Sequence, residues 1–160
     1  MGRVFFALQA CVTGPLIEEI LFRGGILPWV IGASAARPGA PPQVLPRSLR
    51  PWLVVGIAVV FAAETQRPGP VIFAGSLAAG LAILWLVVRR GGRNVRGVFA
   101  TSALFAAVHS SVWPSPVPLF PLAIGLGYVA VRTHGVFVPF LVHGLFNAVS
   151  VVYVLRGGAG

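Results

Sequence analysis

The chain contains no aspartate, no lysine and a single cysteine, Cys11. Without aspartate there is no Ser-His-Asp triad, no aspartic-protease dyad and no aspartate-held Mg²⁺ for phosphoryl transfer. A lone cysteine excludes an internal disulfide, a CxxC redox pair and a Cys-rich zinc site. Charge of either sign is scarce. Charged residues make up 9% of the 160, hydrophobic residues 57%, whereas a soluble domain carries about 25% charged residues. A water-soluble globular domain is therefore excluded, and so is a disordered chain, which needs low hydrophobicity and high charge. A polytopic membrane protein remains.

What charge there is has one sign: twelve arginines against three glutamates, a formal net charge of +9. The arginines lie scattered between apolar runs and form no contiguous basic face, so nucleic acid is not an expected partner. Loop arginines facing anionic headgroups account for them better, which makes the lipid bilayer the first partner.

About six apolar segments can be read: Val4 to Ile31, broken by Thr13-Gly14-Pro15; Pro51 to Ala63; Pro70 to Val88; Gly97 to Trp113; Val117 to Val131; and Gly135 to Leu155. A perpendicular span takes about 20 residues, so the second and fifth are short. The runs are continuously apolar rather than alternating, which argues for helices and against a barrel. The expected fold class is all-α, a polytopic transmembrane helical bundle. Eight arginines (Arg37, Arg47, Arg50, Arg89, Arg90, Arg93, Arg96, Arg132) fall in alternate connections. By the positive-inside rule that side is cytoplasmic. A faint repeat links Phe61-Ala62-Ala63-Glu64-Thr65 to Phe105-Ala106-Ala107-Val108-His109 at an offset of 44.

Ionisable groups at bilayer depth cost a few kcal/mol each, so each needs a reason. Glu18 and Glu19 are adjacent in mid-segment, and Arg23 lies four residues beyond Glu19, close enough to pair across one helical turn. A buried Glu–Arg pair that only fixes packing is an equally good reading of those two. Glu18 points about 100° away with no arginine at i+4, and is a candidate general base or acid. His109 ends the FAAVH run. His143 and Asn147 share a helix face at i and i+4, where both can donate to one point as an oxyanion stabiliser must. The ordinary reading of either is an interhelical hydrogen bond. His134, in the Arg132 turn, and Glu64 with Arg67 read as interfacial pairs. Reckoned along the helices, Glu18, His109 and His143 reach comparable depths. Their joint presence is what favours a site.

A glutamate and a histidine flanking one water can activate it against an amide. The same Glu18, His109 and His143 also form a His₂Glu set that can hold a metal with an open position. Ser110, beside His109, is a weak nucleophile candidate. The rival classes are a non-catalytic immunity or scaffold protein and a proton-coupled transporter. Transport predicts a continuous polar path, which the other segments lack.

EEILFR (Glu18 to Arg23), FAAVH (Phe105 to His109) and HGLFN (His143 to Asn147) resemble, in that order, the EExxxR, FxxxH and HxxxN/B motifs of the CPBP family. That family comprises type II CAAX prenyl endopeptidases and bacteriocin-processing or immunity (ABI) membrane proteins. Gly125 to Ser150 is similar to the family's final helix pair, and the likeness covers about Gly14–Trp29 and Val98–Ser150. It implies one integral-membrane domain over 1–160, acting as an intramembrane endopeptidase on a peptide or membrane-tethered protein. Glu18 would activate water with His109, His143 and Asn147 would form the oxyanion site, and Glu19 and Arg23 would support them. Of the two mechanisms described for the family, the glutamate type without a cofactor is expected. One divalent metal such as zinc on Glu18, His109 and His143 is the alternative. The plasma (inner) membrane of a prokaryote is the expected location. Two features depart from the family pattern: an extra hairpin separates the first two motifs, and the first motif comes almost at the start, where further N-terminal helices are usual.

Overall fold

The computed structural model describes residues 2–33, 45–66, 79–80, 82–83, 85–87 and 90–157. Among these there is no strand. The long helices are α1 (Gly2–Ile31), α2 (Arg50–Gln66), α3 (Arg93–Val108), α4 (Pro116–Thr133) and α5 (Phe137–Gly157), with further helical residues between 79 and 90. The all-helical expectation holds; the count of six spans is not reproduced. Among the described residues three helices are long and apolar enough to cross a membrane: α1 with 30 residues, α4 with 18 and α5 with 21. The expected fifth segment reaches spanning length because its helix starts at Pro116 and runs on through Arg132. α2 and α3, with 17 and 16 residues, stay below it. The segment expected at 70–88 lies largely outside the described residues, as do Arg67 and Arg37. α1 and α5 carry exposed apolar side chains along their length, such as Phe5, Leu16, Ile20, Leu145 and Val149, as lipid contact requires.

The break expected at Thr13-Gly14-Pro15 does not occur. α1 continues through it by widening into a π turn at Gln9–Thr13, and again at Ile20–Ile26. Each π turn ends just before a proline-led α segment, Gly14–Glu19 and Leu27–Ile31. The cause is local. A proline ring clashes with the carbonyl four residues back and has no N–H to give it. In the wider register the Gly14 N–H bonds the Gln9 carbonyl, and the Leu27 N–H bonds the Phe22 carbonyl.

α3 lies at the centre, packed between α2 and α4 and against the end of α1, while α5 packs along the first half of α1 and against α4. α2 and α3 run parallel: Val54 and Val55 cluster with Ala100 and Val30, and further along the Thr65 and Ser110 hydroxyls meet. The two FAA stretches of the repeat thus lie on neighbouring parallel helices. Phe22, Phe105 and Ala123 form a second apolar cluster, and Leu27, Val98 and Ala130 a third.

Arg50 behaves unlike the headgroup-facing loop arginine expected from the charge pattern. It is 1% exposed and donates to the Trp29 carbonyl at 2.6 Å and to the Leu45 carbonyl at 3.2 and 3.1 Å. It thereby adds a second donor to a carbonyl in the last turn of α1 that otherwise receives only the capping Gly32 N–H, at 3.1 Å.

α5 approaches α1 tightly at Gly144, where an added Cβ would lie 2.5 Å from the Cys11 carbonyl oxygen. Gly144→Val is therefore expected to separate α1 from α5 and to destabilise the protein by about 1–3 kcal/mol. Gly56→Ala, in α2 with nothing within 4 Å of the new methyl, should be neutral or stabilise by about 0.5–1 kcal/mol. Thermal unfolding of both variants in one detergent checks the contrast.

Candidate active site

The Gly14–Glu19 segment between the two π turns carries both carboxylates of the first motif. Glu19 is fully buried. Its Oε1 accepts from Arg23 Nη1 at 3.0 Å and from His143 Nδ1 at 2.9 Å. Arg23, itself buried, gives its Nη2 to the Ala123 carbonyl on α4 at 3.2 Å. One oxygen of Glu19 thus joins α1 to α5, and through Arg23 to α4. Glu19 Oε2 has no partner among the described residues.

Because His143 gives its Nδ1 proton to Glu19, its Nε2 is turned the other way, 3.7 Å from Oε2 of Glu18. His109 is set up in the same manner. Its Nδ1 donates to the Phe105 carbonyl at 2.8 Å, and its Nε2 lies 3.8 Å from Oε1 of Glu18. The two oxygens of Glu18 therefore each face one imidazole Nε2, from α5 and from the end of α3. Both separations exceed a direct hydrogen bond and suit a bridging molecule. The side chains of Glu18 and His109 are 31% and 32% exposed, and that of His143 2%. The cluster is open along the Glu18–His109 edge and closed behind His143.

Phe105, fully buried, sets the angle of both rings. Its centroid lies 4.8 Å from that of His109 and 5.6 Å from that of His143, the latter edge-on. Phe22 meets it edge-on at 5.1 Å, and the Arg23 guanidinium lies 4.7 Å from its ring centroid. The phenylalanine of the FxxxH motif is thus a wedge between the two histidines.

Of the residues singled out from sequence, Glu18, Glu19, Arg23, His109 and His143 come together. Asn147 is otherwise engaged: its Nδ2 donates to the Ala10 carbonyl at 2.9 Å. That carbonyl is the one Pro15 leaves bare, since in the register of the first π turn its donor would be the N–H of residue 15. One Nδ2 hydrogen of Asn147 remains for another acceptor. Ser110 is 3% exposed and its hydroxyl meets that of Thr65, which donates to the Phe61 and Ala62 carbonyls. His134 caps α4 with φ 54°, away from the cluster in the α4–α5 turn. Glu64 is exposed on α2. Among the described residues no group of three or more His, Cys, Asp or Glu side chains is arranged to hold a metal ion. Gly144, Thr65 and Arg50 were not marked as functional by the sequence. Only the repeat, which aligns Thr65 with His109, pointed toward the second of them.

Phe105→Ala is expected to cost about 3–5 kcal/mol through the cavity it leaves and to free both rings. Arg23→Leu, which strands a buried carboxylate, should cost about 3–5 kcal/mol. Thermal unfolding measures both, and the ¹⁵N shifts of the two imidazoles report the freed rings.

The chain matches the type II CAAX prenyl endopeptidase Rce1-like family over residues 1–93 and 91–149. No curated protein and no solved structure matches it. The family match spans nearly all of the chain and takes in every member of the cluster around Glu18, in agreement with the resemblance carried by EEILFR, FAAVH and HGLFN. The protein is an integral-membrane member of the type II CAAX prenyl endopeptidase Rce1-like family, a family of peptidases.

Proposed function

We propose that the chain is an intramembrane endopeptidase in which Glu18, working with His109, activates water against a peptide bond of a membrane-tethered protein or peptide. The observation that carries this reading is the pair of separations from one carboxylate to two Nε2 atoms, 3.8 Å to His109 and 3.7 Å to His143. A water in that space can give a proton to Glu18 while its lone pair is aimed by His109. Its oxygen adds to the substrate carbonyl carbon. Negative charge then develops on the carbonyl oxygen, where His143, oriented by Glu19, and the remaining N–H of Asn147 can donate. Collapse breaks the C–N bond, and the proton on Glu18 passes to the leaving nitrogen. Glu19 and Arg23 touch no reacting atom in this scheme; they hold His143.

This reading takes activation by the carboxylate itself; a divalent metal on Glu18, His109 and His143, which face one another at 3.7–3.8 Å, is the alternative. The partly exposed Glu18–His109 edge is where a substrate and water can enter. In this reading the protein works in the plasma (inner) membrane of a prokaryote.

The test is cleavage of quenched fluorogenic peptides, lipid-modified and unmodified, by the purified protein in liposomes. Glu18→Gln and His109→Ala should each lower kcat/KM by about 10²–10⁴-fold, and chelator should leave the wild type unchanged. Cleavage by Glu18→Gln at the wild-type rate rejects the mechanism. Loss with chelator, restored by zinc, moves the water from the carboxylate to a metal. Wild-type biological effect from a Glu18→Gln protein would instead favour a non-catalytic immunity or scaffold role.

A further inference from the structure

A cavity of about 570 Å³ opens at the end of the bundle where α1 and α4 stop and α3 and α5 begin. Its polar wall consists of Arg23, Arg93, Asn94 and His134, and its apolar wall includes Leu27 and Ile31. The three carboxylates of the chain are Glu18, Glu19 and Glu64, and none of them lines it. Arg23 is paired with Glu19 at 3.0 Å. Arg93 has no ion pair or hydrogen bond among the described residues. The positive charge of Arg93 at this mouth therefore has no counter-ion among the described residues. The helix dipoles do not supply one either, because the N-termini of α2, α3 and α5 lie at this end beside the C-termini of α1 and α4. Further arginines crowd the same end: the Arg47 side chain lies over Gly32, and Arg132 stacks near Tyr128.

We propose that this cavity binds a phosphate anion, with Arg93, Asn94 and His134 as its direct contacts and Arg23 behind them. A guanidinium, an amide and an imidazole converging on one space give the several donors a phosphate oxygen set requires. The apolar wall beside them suits the glycerol and first methylenes of an anionic phospholipid, whose headgroup is the membrane source of that anion. Free phosphate is the soluble source. This assignment does not depend on the proposed peptidase activity, and its test involves no cleavage.

The test is binding to the purified full chain in a neutral detergent. Phosphatidic acid and phosphatidylcholine are titrated and counted by native mass spectrometry, and inorganic phosphate is titrated against thermal stability. Saturable binding of phosphatidic acid is expected to exceed that of phosphatidylcholine. Arg93→Gln should weaken it about tenfold. His134→Asn, which tolerates the left-handed backbone at φ 54°, should weaken it as well. Arg156→Gln, in the last turn of α5 at the other end of the bundle, should leave it unchanged. Stabilisation by phosphate alone with the same dependence on Arg93 supports the site and assigns it to a soluble anion; dependence seen only with phosphatidic acid supports it and assigns it to the headgroup. The proposal is overturned if neither probe binds better than phosphatidylcholine, if Arg93→Gln and His134→Asn both bind as the wild type does, or if Arg156→Gln weakens binding as much as they do.

Discussion

Oxygen Oε1 of Glu19 is the atom on which the rest of the structure depends. It receives a guanidinium from its own helix and an imidazole from α5, and all three side chains are buried. A buried carboxylate is costly unless paired and hydrogen-bonded. Here it meets both conditions, and the cost of breaking either one enforces the register between α1 and α5. The consequence reaches Glu18 by geometry alone. With Nδ1 of His143 held by Glu19, Nε2 has one direction left, and it leads to the neighbouring carboxylate.

The second constraint is set by proline. Pro15 and Pro28 each deprive α1 of a donor, and α1 answers by widening rather than breaking. The bare Ala10 carbonyl is then satisfied from α5 by Asn147. The HGLFN sequence therefore does three things on one helix face. His143 binds a carboxylate, Gly144 allows the backbones to approach, and Asn147 replaces a missing amide. Its spacing of four residues serves the fold of α1 as directly as it serves chemistry.

What was legible in the sequence was the part in which polarity conflicts with surroundings. Glu18, Glu19, Arg23, His109 and His143 stand in apolar runs, and burying them alone would be expensive, so their convergence could be anticipated from cost. The Glu19–Arg23 pair followed from helical spacing alone. What could not be read were relations between helices. Thr13-Gly14-Pro15 looks like a terminator because the sequence does not reveal that Asn147, more than 130 residues on, completes the turn. Arg50 looks like a loop charge because nothing local shows that the end of α1 lies above it. The length of spans misled for a similar reason. α3 is too short to be a span by itself, yet its position between α2 and α4 lets it bury Thr101 and Ser102 among protein rather than lipid. Resemblance to a family compensated for part of this, since three ordered motifs encode contacts that periodicity does not.

The paired π turns have one more implication. Each behaves as a single added residue within an otherwise α-helical rod, displacing everything beyond it by roughly 100° in azimuth. The six-residue Gly14–Glu19 plug sits between two such steps, so its bearing toward α3 and α5 is adjustable from either side without altering its own sequence. Drift in the length of this helix is consequently tolerable at its outer tips and intolerable between Gln9 and Ile26, where removing one amino acid would erase a step and swing one flank of the rod out of alignment with the other.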